Sequence, residues 1–211
     1  MITLIRSRGG LLISSTLVIL VVSQLLSSQV QTRDYSDNYP SVVCPPAPNG
    51  VNAYISTPST RSPYHLVKGR SLRDKAIKTL RYSSGATPIV IDAQSTTPLM
   101  WQSKAGGWAA GVPCQAPQSS QWFVGGAADV TSKSSLTVVN SGLSSALVDV
   151  NLWTENGAQP RKTLSIGPSG TTTLRLDSLA PGAARIVLHV APRSGRINAF
   201  LLDERGRGLR A

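Results

Sequence analysis

The chain has 211 residues, of which 21 are basic and 10 acidic, so its formal net charge at neutral pH is +11. Aromatic residues make up 5% and charged residues 15%, whereas 18 glycines and 14 prolines supply many turn-forming positions. This balance disfavours a helical bundle and favours many short strands joined by turns. The length allows one domain with a tethered arm, and the composition predicts an all-β protein.

The amino-terminal part of the chain is typical of a segment that meets a membrane. A basic stretch, residues 1–10, contains Arg6 and Arg8 and precedes an uncharged run, residues 11–30. As a helix, this run is long enough to cross a hydrocarbon core of roughly 30 Å. The two arginines favour a cytoplasmic amino terminus, so the rest of the chain is predicted to be exported from a single-pass anchor in the cell membrane. Secretion after cleavage of a signal is the alternative, although the run is longer than most cleaved signals.

Two less regular regions follow the hydrophobic run. Residues 31–52 are rich in Pro, Ser, Asn and Asp, and they are predicted to form an extended stalk. Residues 53–113 are predicted to be an irregular segment that contributes a short helix and a strand to the sandwich. The helix is assigned to SLRDKAIKTLRY, residues 71–82, because its apolar residues recur at helical spacing. The strand is assigned to TPIVIDAQS, residues 87–95.

Regular alternation begins near Trp122. Six apolar or alternating runs are separated by turn sequences, and they read SLTVVN, SALVDVNLW, RKTLSI, TTTLRL, ARIVLHV and RINAFLLD. Their spacing of about ten to twelve residues predicts an immunoglobulin-like antiparallel β-sandwich over residues 114–203, with a basic tail at 204–211. A seventh strand is expected from either QWFVGG or TPIVIDAQ.

The same alternation predicts which side chains of the sandwich are buried, because neighbours on a strand point to opposite faces. The expected core positions are Ala146, Val148, Val150, Leu152, Leu174, Leu176, Ile186, Leu188 and Val190. Asp149 and Arg175 fall on the opposite faces and are predicted to be solvated.

Cys44 and Cys114 are the only cysteines. In an oxidising compartment an isolated pair most often forms one structural disulfide, and adjacent prolines keep both residues on stiff extended segments. We therefore predict a Cys44–Cys114 bond, with a free reactive thiol as the alternative. Closing a loop of this length stabilises a fold by roughly 4 kcal/mol.

The tryptophans admit two interpretations. Trp122 and Phe123 are neighbours, so one is expected in the core and the other at a sheet edge or over the disulfide. Trp101, Trp108 and Trp122 are candidates for a ligand shelf, because stacked indoles often hold sugar rings. Packing and edge cover is the simpler interpretation.

The sequence lacks the common motifs of hydrolases, metalloproteases, phosphate-binding loops and redox pairs. Its two histidines are His65 and His189, and His189 is expected to be a partly exposed strand residue. Asp149 and Asp203 could pair as acid and base, but solvent-facing carboxylates are the simpler interpretation. No catalytic residue, metal site or cofactor is therefore predicted.

Positive charge is the remaining clue. Without Arg6 and Arg8, the excess of basic over acidic residues falls only from 11 to 9. The clustered basic residues that are candidates for contacts with polyanions are Lys68, Arg70, Arg73, Lys75, Lys78, Arg81, Arg205, Arg207 and Arg210. Outside a cell, such a surface attracts anionic lipids or acidic wall polymers. Nucleic acid is not an expected partner, because the motifs and aromatic support of such modules are missing.

A family resemblance rests on an ordered series of segments: CQAP, QWFVGG, SLTVVNSG, ALVDVNLW, GPSGTTTLRLDSLAPG, RIVLHVAP and SGRINAFLLDE. From Cys114 to Asp203 the chain resembles the carboxy-terminal half of a family of actinobacterial exported proteins of unknown function. Upstream, the hydrophobic segment, the CPP segment and the Trp-rich approach to Cys114 are similar as well. Members are commonly longer, so this chain resembles a shortened version. The resemblance implies an envelope location and no catalytic motif.

These observations favour a noncatalytic, membrane-tethered β-sandwich that binds or scaffolds components of the cell envelope, including another envelope protein. The alternative is an envelope hydrolase or transferase with an unrecognised carboxylate site. The two hypotheses differ in one structural expectation, because only the enzyme requires a deep pocket with two converging acids.

Overall fold

The computed structural model describes residues 41–48, 50–57, 62–69, 75–92, 97–104 and 109–205. These residues form strands arranged in four antiparallel sheets, and they include one short 3-10 helix, Leu176–Ser178, but no α-helix. The prediction of an all-β protein is therefore confirmed.

Eight of the described strands precede Cys114. They are β1 (Val42–Cys44), β2 (Asn52–Ser56), β3 (Ser62–Leu66), β4 (Lys75–Ile77), β5 (Arg81–Ser84), β6 (Ile89–Ile91), β7 (Leu99–Ser103) and β8 (Ala109–Pro113). Sheet A has the order β1-β6-β3-β4, and sheet B has the order β5-β2-β7-β8. Both sheets bury side chains in one core that includes Ile55, Ile89, Ile91 and Met100. These residues thus form a sandwich of their own, the first sandwich, rather than an irregular addition to the following one.

The stalk prediction is wrong for the part of residues 31–52 that is described. Val42, Val43 and Cys44 are all buried and pair with β6. Val42 and Cys44 point into the core of the first sandwich, whereas Val43 packs in a separate cluster with residues of the second half. β1 is covered on both faces, so burial of its apolar run stabilises the fold. The surrounding prolines make this strand hard to recognise from the sequence.

The predicted helix at residues 71–82 is also wrong. Its described part forms β4 and β5, which pair with β3 and β2. Of the apolar stripe, Ile77 is buried but Leu80 is 58% exposed. Pairing with neighbouring strands therefore overrides the local helical spacing. The strand predicted in TPIVIDAQS is present as β6, although it lies in sheet A.

The other eight described strands form the second sandwich. They are β9 (Gln121–Val124), β10 (Ser132–Asn140), β11 (Ala146–Thr154), β12 (Gly157–Ala158), β13 (Lys162–Ile166), β14 (Gly170–Arg175), β15 (Ile186–Pro192) and β16 (Ile197–Arg205). All six predicted runs are strands, and QWFV supplies the seventh. The predicted core positions are buried, except that Leu174 is partly buried and packs against the core.

The distribution of strands between the two sheets departs from the constant-type immunoglobulin arrangement. Sheet C has the order β12-β11-β15-β9, with β13 also paired to β11, and sheet D has the order β14-β10-β16. In the constant-type arrangement the first strand joins the second, and the last joins the sixth. Here β9 pairs with β15 and β16 pairs with β10, so the first and last strands of the second sandwich have exchanged sheets relative to that arrangement.

The disulfide prediction is confirmed. Cys44 and Cys114 are bonded and buried, with their Cα atoms 4.4 Å apart. Cys44 ends β1 in sheet A, and Cys114 directly follows β8 in sheet B. The bond therefore joins the two sheets of the first sandwich across their shared core.

The two sandwiches meet through an apolar cluster and a set of backbone contacts within one unit. Val43, Val67 and Val90 of the first sandwich pack with Val139 and Phe200 of the second. The segment that connects the two sandwiches is hydrogen-bonded to both of them. The Gln115 backbone pairs with that of Val43, and its carbonyl accepts a 2.8 Å hydrogen bond from Asn198 Nδ2.

The predicted membrane segment, residues 11–30, lies outside the described residues, as does most of the basic tail. Among the residues that are described, no helix has the length and apolar character needed to cross a bilayer.

Candidate functional site

The outer face of sheet C carries a row of side chains that runs across its strands. Trp122 on β9 lies opposite His189 on β15, and His189 lies opposite Asn151 on β11. Arg161, just before β13, extends the row because its Nε donates a 3.0 Å hydrogen bond to Asn151 Oδ1. Strands lie roughly 4.8 Å apart, so this cross-strand row is roughly 14 Å long.

Alternation on each strand explains why the row faces outward. Leu188 and Val190 flank His189 and point into the core, as do Val150 and Leu152 beside Asn151. Phe123, the neighbour of Trp122, packs against the same core. The choice left open by the sequence is thereby settled: Phe123 is the inward residue, and Trp122 is 59% exposed on the open face.

Three rings stack on this face, and we call them the aromatic platform: Trp122, His189 and Trp153. The ring centroids of Trp122 and His189 are 4.2 Å apart with an angle of 12° between planes. Those of Trp122 and Trp153 are 5.5 Å apart with an angle of 19°. Near-parallel stacking restricts the motion of the Trp122 indole, and the residue nevertheless remains 59% exposed to solvent.

A hydrogen bond orients the imidazole that stacks on Trp122. The Ser120 hydroxyl lies 2.9 Å from His189 Nε2, in the segment that leads directly into β9. The bond therefore orients the imidazole on the strand next to Trp122. Contacts within the protein therefore hold the ring stack in place.

Asp149 occupies the adjacent row, between Ala191 on β15 and Thr163 on β13. Its carboxylate accepts hydrogen bonds of 2.8 Å from Arg193 Nε and from the Thr163 hydroxyl. Arg161 lies 3.6 Å from the same carboxylate. The bonds from Arg193 and Thr163 hold the pKa of Asp149 below its ordinary value.

The prediction that Asp149 is solvated is wrong, because the residue is only 7% exposed. Its position on the outward face was predicted correctly, but the long side chains of Arg161 and Arg193 cover it. Alternation along one strand gives the face to which a side chain points. It cannot show whether long side chains from adjacent strands cover that side chain.

The two arginines retain hydrogen-bonding capacity toward solvent. The side chains of Arg161 and Arg193 are 59% and 52% exposed. Each guanidinium has five N–H donors, and the contacts with Asp149 and Asn151 use only part of them. The outer face of sheet C therefore combines a flat aromatic surface with two cations that share one carboxylate.

The predicted shelf of three tryptophans is not assembled. Trp101 lies on sheet B, where its ring is 5.7 Å from that of Tyr54 and 4.2 Å from the Arg81 guanidinium. Its Nε1 donates to the Ser56 hydroxyl at 3.2 Å. Trp101 and Arg81 are thus engaged with each other in packing, and Trp108 lies outside the described residues.

The predicted polyanion contacts are distributed over both sandwiches. Lys68, Lys75 and Lys78 are exposed in the first sandwich. Arg205, at the end of β16, pairs with Asp203 at 2.7 Å. The remaining candidates lie outside the described residues: Arg70, Arg73, Arg207 and Arg210. The two arginines that do line the aromatic face, Arg161 and Arg193, were not among the predicted contacts.

Asp149 and Asp203 do not form the acid–base pair considered from the sequence. They lie on sheets C and D, where Asp149 is paired with Arg161 and Arg193, and Asp203 with Arg205. Among the described residues, no group of three His, Cys, Asp or Glu side chains is placed to hold a metal ion.

A cleft of about 610 Å³ separates parts of the two sandwiches. Pro45, Pro46 and Pro48 line one side, and sheet D contributes Thr137 and Phe200. The described residues around this cleft include no Asp, Glu, His, Lys or Arg. Its chemistry is therefore that of an uncharged groove.

The fold and this face define a class: an antiparallel β-sandwich protein that presents an aromatic and basic sheet surface. The chain belongs to a family of unknown function (DUF5719), whose profile matches residues 82–211. The match covers the whole second sandwich and begins at β5 of the first. Searches of the curated proteins and of the solved structures returned no match.

The acid sensitivity of the fold gives a first test of the Asp149 contacts. Folding lowers the pKa of Asp149, so its contribution to stability is complete above its unfolded pKa of about 3.9 and is lost as the pH falls through its native value. The melting temperature, measured from pH 7 downward, should therefore decrease once the pH is lower than about 4. Asp149→Asn should remove part of that decrease. Asp177→Asn tests the same reasoning at a second site, because Arg175 lowers the pKa of Asp177 in the folded state, and it too should remove part of the decrease. An unchanged pH profile in Asp149→Asn would contradict the assigned contacts.

Proposed function

We propose that this chain is a noncatalytic, membrane-tethered component of the cell envelope that binds or scaffolds other envelope material. The carrying observation is the open face of sheet C, where Trp122 is 59% exposed on a supported ring stack. Aromatic residues and arginine are enriched in binding surfaces relative to the rest of a protein surface, so an exposed indole beside two exposed arginines supports a binding role. The proposal also includes an actinobacterial source for the chain. It further treats the second sandwich as a strand-exchanged variant of the immunoglobulin-like arrangement.

The disulfide supports export. Structural disulfides persist in oxidising compartments and are rare in the cytosol. The bond between Cys44 and Cys114 is buried and joins two sheets, so it is part of the first sandwich. Together with the uncharged run at residues 11–30, it supports a location on the outer side of the cell membrane, and the same reasoning covers a secreted form.

The shape of the described surface supports binding over turnover. The hydrolase or transferase alternative requires a pocket with two converging acids. The large cleft between the sandwiches has an uncharged described lining. Trp122, His189 and Asn151 line neither that cleft nor the smaller cavity beside Arg161. A flat surface suits an extended partner better than a small substrate that must be enclosed.

Sedimentation with isolated cell envelopes tests the proposal. The purified full chain should bind envelopes of its source organism saturably, and incubation should release no soluble sugar, phosphate or peptide. Externally added protease should degrade the chain on spheroplasts while a cytoplasmic marker stays intact. Absence of saturable binding, or release of product that scales with the amount of protein, would overturn the proposal.

A further inference from the structure

We propose that the outer face of sheet C binds an acidic polysaccharide, with a sugar ring packed on Trp122 and an anionic substituent near Arg161 and Arg193. This inference rests on the proposed binding function and names its ligand class. The aromatic surface, the charge and the shape of this face each support it.

The aromatic platform has the properties that a sugar ring requires. The π face of an indole is electron-rich, and the C–H groups on one side of a pyranose ring carry partial positive charge, so the two surfaces attract and bury apolar area together. Trp122 is held nearly parallel to the rings of His189 and Trp153. A ring that is already immobilised loses little conformational entropy when a ligand packs on it.

The charges beside the platform favour an anionic ligand. Arg161 is joined to the platform through Asn151, the neighbour of His189 in the cross-strand row. Arg161 and Arg193 share the single carboxylate of Asp149, which leaves one positive charge in excess in this group. Arginine binds carboxylate and phosphate groups in a planar, two-point geometry. The guanidinium is more weakly hydrated than an ammonium group, so replacing its water by an anion costs less.

The shape of the face favours a polymer over a single sugar. The cross-strand row is roughly 14 Å long, given the spacing of strands in a sheet. A linear chain can contact Trp122 at one end of the row and Arg161 at the other. Small ligands are generally held in concave pockets, whereas this surface is open.

The probes are three acidic polysaccharides, polygalacturonate, polymannuronate and hyaluronate, together with fully methyl-esterified polygalacturonate as a neutral counterpart. Binding to the purified full chain is measured by calorimetry and by the change in tryptophan fluorescence. At least one acidic polymer should bind, with an affinity that falls as salt is added and that exceeds the affinity for the methyl ester.

Two variants and two controls locate the site. Trp122→Ala should weaken binding about tenfold or more, and Trp122→Phe should restore part of the loss because a ring remains. Arg161→Gln should weaken binding to the acidic polymer while leaving binding to the methyl ester unchanged. Arg175→Gln removes the same charge from sheet D and should have no effect. Melting temperatures of all variants should stay close to that of the wild type, which separates lost binding from lost folding.

The outcomes separate this inference from the proposed function. If the chain binds envelopes but none of the three polymers, or if Trp122→Ala and Arg161→Gln bind as the wild type does, the inference is overturned and the proposed function stands. If the chain binds no envelopes, both fail. A preference for single-stranded oligonucleotide or for vesicles of phosphatidylglycerol over every acidic polymer also overturns the inference, since aromatic and basic surfaces can bind either.

Discussion

Leu188→Ala is expected to lower the free energy of unfolding by about 2–5 kcal/mol. Leu188 is fully buried at the centre of β15, between β11 and β9, and it belongs to the core that sheets C and D share. Truncation removes apolar contacts and leaves a cavity that paired strands on both sides cannot easily fill. Urea or guanidinium unfolding of the full chain measures the change.

Leu143→Ala is the matched control, because Leu143 lies in the turn between β10 and β11 and is 59% exposed. The same atoms are removed, but little buried area is lost, so the change should stay within about 0.5 kcal/mol. Equal effects of the two substitutions would mean that the register of β15 is wrong, since a shift by one residue would place His189 in the core.

Removing the disulfide through the double variant Cys44→Ala, Cys114→Ala is expected to cost roughly 4 kcal/mol, because the bond closes a loop with a sequence separation of 70 residues. The loss should fall first on the first sandwich, where β1, β4 and β6 have only three residues each. Limited proteolysis should then cleave residues 41–113 before residues 121–205.

Reduction of the wild type provides the comparison. Dithiothreitol under partly denaturing conditions should lower the wild-type midpoint to that of the double variant and should leave the double variant unchanged. Identical midpoints for oxidised and reduced wild-type protein would show that the bond contributes nothing to stability, and titration of two thiols in nonreduced protein would show that it is absent.

The second sandwich could be predicted from the sequence because its strands are long and alternate regularly. β10, β11 and β16 each have nine residues, enough to show a period of two, and glycine-containing turns mark their ends. Burial of Val148, Val150 and Leu188 follows directly from that period. The exchange of β9 and β16 between sheets could not be predicted, because alternation gives the faces of a strand but not its partners.

The first sandwich could not be predicted for a related reason. Strands of three to five residues are too short to display a period, and β1 is buried on both faces and therefore does not alternate at all. Local spacing around Ile77 then favoured a helix, and prolines around Cys44 favoured a stalk. The pairing that decides both cases joins residues far apart in sequence.

The candidate face could be predicted from the sequence only in part. Alternation placed Asp149, Asn151 and Trp153 on one face of β11, and His189 on the outward face of β15. Their assembly with Trp122 depends on the order β11-β15-β9, which no local pattern contains. The grouping of Trp101 with Trp122 was wrong because the two residues are on different sheets.

The position of the disulfide also determines how the chain carries mechanical force. If residues before Cys44 are held at a membrane and the second sandwich is held by wall polymer, tension passes along the backbone to Cys44, across the sulfur bridge to Cys114, and on to β9. Residues 45–113 lie in a covalently closed loop and are therefore outside the covalent path of that tension. Reduction would bring that loop into the covalent path, and unfolding of the first sandwich would then release roughly 240 Å of extended chain, so the bond limits how far an anchored molecule can be stretched.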